Sequence, residues 1–231
     1  MGGTRTWISD RSNISDLSDD RTKVVRCQTS ILGQSERMDV GRTVNLLVSD
    51  CSSSMESVIA RNDRRQKIIG VKDALSTFLV NSQESAYISV ITFGDTANVL
   101  CDMQVRGQNP YGMLQQIQQI SPKGLTAMCD ALKLAIEQCK KAPQGYVIRV
   151  YVLTDGLPTD GDPLPIAEIL KRTYPNLQIH TIGFGCGNKI DEGLLRSIAS
   201  RSASGEPFYY HVLDAVKLTG ILKRQSRNLY K

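Results

Sequence analysis

Three short stretches of this 231-residue chain place oxygen-bearing side chains where they could share one volume. In the first, Ser49-Asp50-Cys51-Ser52-Ser53-Ser54, the spacing by two sets Asp50, Ser52 and Ser54 on the same side of an extended segment. The second, Lys123-Gly124-Leu125-Thr126, adds a hydroxyl. The third, Leu153-Thr154-Asp155-Gly156, adds another carboxylate with a glycine behind it to free the backbone. Carboxylates and hydroxyls alone suit a hard divalent cation, Mg²⁺ or Mn²⁺, which takes an octahedral oxygen shell at roughly 2.0–2.1 Å and keeps several waters. With only two carboxylates the ion stays electrophilic and has room for a carboxylate from outside. The chemistry suggested is docking more than ion storage.

Each stretch lies where an element must end. Near-continuous apolar runs at 44–48, 87–93, 146–153 and 177–184 read as strands covered on both faces, and the weaker run 97–103 reads as an edge strand. Between them Ile68, Val71, Leu75, Phe78 and Leu79 recur at helical spacing, as do Met128, Ala131, Leu132, Ala135, Ile136 and Cys139. Further helices are expected over 113–120, 165–172, 192–200 and 215–227. Strands alternating with helices imply right-handed crossovers and an α/β fold: a doubly wound, mostly parallel central sheet with one antiparallel edge strand and helices on both faces. Ligands of such sheets bind beyond the carboxyl ends of the strands, where Asp50 and Asp155 fall.

The D-x-S-x-S at 50–54, the Thr126 loop and the T-D-G at 154–156 resemble the von Willebrand factor A family, in its order and spacing, over about 43–227. That resemblance implies a Rossmann-like fold and a metal-ion-dependent adhesion site. It implies that Ser52, Ser54 and Thr126 contact the metal directly, that Asp50 and Asp155 often act through water, and that a partner protein's Glu or Asp completes the shell. It also implies that the last helix can shift when the metal shell changes. The segment 154–160 is similar to intracellular bacterial, tellurium-resistance-type members that work beside kinases, phosphatases or AAA+ ATPases. Ser53 stands where the family usually has glycine, and Leu125 where it has a small residue; both bear on loop geometry rather than on ligand chemistry.

The rival expectation is a metal-dependent phosphohydrolase or phosphotransferase using the same aspartates. A haloacid-dehalogenase-type enzyme would need D-x-D-x-[TV] where this chain has Asp50-Cys51-Ser52, and no general base is evident nearby. Asp160 and Asp162 lack EF-hand spacing and read as solvated turn residues. His180 and His211 read as core or edge histidines, and 183–187 as a tight glycine turn after the last strand. Cys51, Cys129 and Cys186 flank the metal-side loops, where small buried thiols are common and a redox role is the lesser reading.

Composition sets the remaining bounds. A 41% hydrophobic and 22% charged chain can bury a core, which excludes disorder as a whole. The net charge of +5 is scattered over patches such as 61–67, 140–141 and 223–227, which read as solvated helix faces without aromatic interleaving, so no nucleic-acid partner is expected. No membrane partner is expected either, because no run approaches the roughly 18–20 apolar residues of a membrane helix and the polar start lacks a signal-peptide core. Six cysteines without a CxxC pair fit a reducing compartment, so a cytoplasmic protein is expected and the Asn13-Ile14-Ser15 sequon would stay unused. Residues 1–40 read as a polar tail, with Val24-Val25 and Ile31-Leu32 able to pin short pieces, and 41–231 as one domain. The opening MGGTRT formally matches a short Gly2 myristoylation pattern.

Overall fold

All eight residues of β1 (Thr43–Asp50) are buried, which requires cover on both faces of the strand. The computed structural model describes residues 42–60, 63–185 and 190–227. The expected tail at 1–40, with its apolar anchors, sequon and Gly2, lies outside these, as do Cys27 and Cys186.

The chain continues through a hairpin of β2 (Val58–Ala60) and β3 (Asp63–Gln66), helix α1 (Lys67–Asn81), β4 (Tyr87–Phe93) and β5 (Ala97–Val105). Helices α2 (Pro110–Gln118) and α3 (Met128–Cys139) follow, then β6 (Val147–Thr154), α4 (Leu164–Thr173) and β7 (Leu177–Phe184). Helix α5 (Glu192–Ile198), β8 (Tyr209–Val212) and α6 (Ala215–Ser226) complete the described order. The main sheet runs β5-β4-β1-β6-β7-β8, with only the β4–β5 pair antiparallel. The fold is therefore the expected doubly wound one, with 97–105 as its antiparallel edge.

Alternation along β1 divides the core. Leu47 joins Tyr151 and Ile182 beneath α1, α2 and α6, where Phe78 meets Tyr151 edge-on at 5.3 Å. Val44, Leu46 and Val48 face the other way, beneath α3, α4 and α5. Truncating such a fully buried residue costs about 2–5 kcal/mol.

Two expectations are corrected. The run 177–184 is not the last strand: β8 extends the sheet parallel to β7, pairing Thr181 with Tyr209 and Phe184 with Val212. The aromatics of 208–210 carried the β-propensity for it, but four residues with one fully buried give no periodic signal. Nor is 61–67 a solvated helix face, because 63–66 is the second strand of a hairpin and Lys67 is 8% exposed. Among the described residues no helix is long and apolar enough to cross a membrane.

Candidate metal centre

Strand order reverses at β1, which has β4 on one side and β6 on the other, so the carboxyl ends of β1 and β6 open a cleft. Register places Ser49 opposite Leu153, which sets Asp50 beside Thr154 and brings Asp155 to the cleft mouth. Asp50 is fully buried; it accepts the Ser52 N–H at 2.7 Å and the Thr154 hydroxyl at 2.6 Å. Burial pushes its carboxyl up to about 6, against the pull of those donors.

The five expected ligand residues are brought together. Ser52 Oγ and Ser54 Oγ lie 2.9 Å apart, and the Ser54 hydroxyl donates to Asp155 Oδ1 at 2.6 Å, across 101 residues of sequence. Thr126 is 6% exposed, and its Oγ1 lies 3.3 Å from where a Cβ on Gly156 would stand, beside Asp155. Ser54 is the half-buried member, so the cleft is open on its side. Among the described residues no group of three or more His, Cys, Asp or Glu could hold a metal, so the hydroxyls are needed for any cation shell. The converging oxygens fit Mg²⁺ or Mn²⁺ in kind.

The loops are fixed by backbone ties. Ser53 N–H donates to Gly124 O at 2.9 Å, Gly124 N–H returns a bond to Ser53 Oγ at 3.0 Å, and Lys123 N–H donates to Cys51 O at 2.7 Å. Ser53 thus uses its hydroxyl to join two loops where a glycine could not. Leu125 is 61% exposed and creates no crowding.

Several residues at the site were not expected to support it from the sequence. Lys67, first residue of α1, places its Nζ 2.7 Å from Asp155 Oδ2. Asp95 accepts the Leu125 N–H at 2.9 Å, and Thr159 Oγ1 accepts the Thr126 N–H at 3.1 Å. Asp160 is not merely a solvated turn residue: its two oxygens accept the Cys129 and Asp130 N–H groups at 3.1 and 2.9 Å, capping α3. Each lies far along the chain from its partner, and only the cap at the T-D-G loop could have been sought, from the bare start of α3.

The thiols beside the cleft are not poised as nucleophiles, since burial pushes Cys51 and Cys129 each up to about 11. His180 is a core histidine, fully buried and stacked between Tyr151 and Phe208. His211 bonds Gly185 O at 3.1 Å and pairs with Glu192. A cleft of about 580 Å³ at the other end of the sheet, near Tyr146 and Tyr174, is lined by no carboxylate or histidine.

Fold and cleft together define a doubly wound α/β domain with an oxygen-donor site at its switch point. Residues 46–224 match the von Willebrand factor type A domain family, and the chain belongs to it. Members commonly serve as protein-interaction or adhesion modules. An uncharacterized protein of Synechocystis is 29% identical over 165 residues, 71% of this chain, and the chain spans 36% of that relative's length. Among solved structures, a von Willebrand factor type A protein from Catenulispora acidiphila aligns with a TM-score of 0.65 at 19% identity, over 81% of this chain and 42% of that one. The pilus adhesin SpaC of Lactobacillus rhamnosus GG aligns with a TM-score of 0.66 at 16% identity, over 82% of this chain and 31% of that one.

Proposed function

We propose that the chain is a divalent-cation-dependent interaction module in which Ser52, Ser54 and Thr126 hold Mg²⁺ or Mn²⁺ directly, and Asp50 and Asp155 support it, often through water. When bound, the cation supplies an electrophilic position for a Glu or Asp of a partner protein. The observation that carries this reading is the run of short contacts from Ser52 Oγ through Ser54 Oγ to Asp155 Oδ1 at 2.9 and 2.6 Å, open on the Ser54 side. Asp50, tied to Ser52 N–H and Thr154, orients the first motif from below. Leu125 and Leu157, 61% and 51% exposed beside Thr126 and Gly156, offer apolar contact to whatever docks.

Binding is favoured over phosphoester chemistry because both histidines are engaged in other places: His180 stacks on Tyr151 and Phe208, and His211 bonds Gly185 O and pairs with Glu192. The narrower part of the proposal is an adaptor in a cytoplasmic multi-protein system, beside a kinase, phosphatase or AAA+ ATPase. The free thiols of Cys51, Cys101, Cys129 and Cys139 suit such a compartment.

The test is a pull-down with mass spectrometry, comparing wild type in Mg²⁺, wild type in EDTA and a folded Ser52→Ala/Ser54→Ala variant. A partner held only by wild type in Mg²⁺ is expected. One retained in all three samples would overturn the proposal, and phosphoester turnover abolished by the double variant would replace it with the enzymatic reading.

A further inference from the structure

Lys67 is placed against ordinary helix electrostatics. It is the first residue of α1, where the positive end of the helix dipole disfavours a cation, and neither an acidic residue in the first turn nor a side-chain cap from Gln66 offsets it. Its side chain is 10% exposed, and its Nζ lies 2.7 Å from Oδ2 of Asp155, whose side chain is fully buried. The fold keeps a passage for it: a Cβ on Gly185, whose φ is +117°, would stand 2.7 Å from Lys67 Cε and 3.0 Å from Nζ. The lysine is therefore a built part of the cleft.

Resting on the metal-site reading above, we propose that Lys67 acts as a tethered cation that holds the site's own affinity for a divalent metal low, so that metal is retained chiefly together with a partner's carboxylate. Taken by themselves, the carboxylates of Asp50 and Asp155 and the ammonium of Lys67 sum to one net negative charge. A divalent ion would bring it to one net positive charge, which a single partner carboxylate neutralises. Without Lys67 the loaded site would already be neutral and the added carboxylate would gain less. Lys67 Nζ lies 2.7 Å from the buried Asp155 carboxylate, so an ion supported by Asp155 would feel its repulsion where charges interact strongly. Lys67 is a positioning residue here: held on Asp155, it acts on the ion by charge and not by contact.

The experiment is Mn²⁺ titration of the full chain without partner, followed by loss of the free-ion paramagnetic resonance signal. The samples are wild type, Lys67→Met, Lys67→Gln and Lys67→Arg, each checked for folding by circular dichroism. The two neutral variants are expected to bind Mn²⁺ roughly tenfold tighter than wild type, and Lys67→Arg to match wild type within about twofold. Added acetate should tighten Mn²⁺ binding in wild type and less so in the neutral variants. A purely structural lysine would lower affinity on removal, so equal or weaker Mn²⁺ binding by the folded neutral variants overturns the inference and leaves the metal site standing. Absence of Mn²⁺ binding by wild type and variants alike overturns the metal-site reading, and this inference with it.

Discussion

The Thr154 hydroxyl donates to Asp50 Oδ2 at 2.6 Å, joining the carboxyl ends of β6 and β1 beneath the cleft. Both residues are fully buried, so Thr154 removes part of the desolvation penalty that drives the Asp50 carboxyl upward. Thr154→Val keeps the shape and deletes the donor, leaving a buried carboxylate short of one partner. Urea unfolding near neutral pH is expected to show a loss of about 1–3 kcal/mol, with Thr154→Ser close to wild type. Equal stability of all three proteins would show that the bond carries no net stabilisation.

Gly124 holds φ at +76°, and a Cβ there would stand 2.1 Å from the Asp95 carboxyl carbon. Gly124→Ala must therefore both strain the backbone and displace the carboxylate that holds the Leu125 N–H, at a cost of about 1–3 kcal/mol. In an Asp95→Ala background the clash is gone and only the backbone strain remains. The expected double-mutant cycle is non-additive, with the second cost smaller than the first. Additive costs would mean that the loop before Thr126 is not set by Asp95.

The mostly parallel sheet with its antiparallel edge, both helical layers and the five oxygen-bearing residues were legible because each rests on local signals: unbroken apolar runs, helical spacing and polar residues on the loops at element ends. What escaped was long-range. Lys67 belongs to the cleft only because its side chain reaches Asp155, 88 residues away, while its own neighbours Arg64, Arg65 and Gln66 spell a polar surface. The β2–β3 hairpin is masked by the same polarity, since exposed Arg64, Arg65 and Gln66 give no alternation. β8 is too short for any period to register.

Asp160 reaches from the loop after β6 to cap α3, whose own N-cap residue, Ala127, makes no side-chain bond. Asp160→Ala should lower stability by about 0.5–2 kcal/mol, and Asp160→Asn by less, because an amide retains one acceptor. Since α3 begins two residues after Thr126, the Ala variant should also increase amide hydrogen exchange at Cys129 and Asp130. Unchanged exchange there would show that the helix start is held by other contacts.

Burial pushes the His180 imidazole down to about 3, with the nearby charge of Arg149 the lesser cause. The folded value lies below the unfolded one, about 6.5, so between them the unfolded chain binds the extra proton and stability rises with pH. The contribution is complete above the unfolded value and is lost as pH falls toward the folded one, amounting to roughly 2–3 kcal/mol by about pH 4.5. Because carboxylates also titrate in this window, the informative quantity is a difference. His180→Phe keeps a ring between Tyr151 and Phe208 and cannot take the proton. Urea unfolding at a series of pH values should give a stability curve for the variant that is flatter than wild type by that amount between about pH 4.5 and 7. Parallel curves would mean that His180 protonates in the folded state as readily as in the unfolded one, and that the stack between β6 and β7 is more open to water than its full burial indicates.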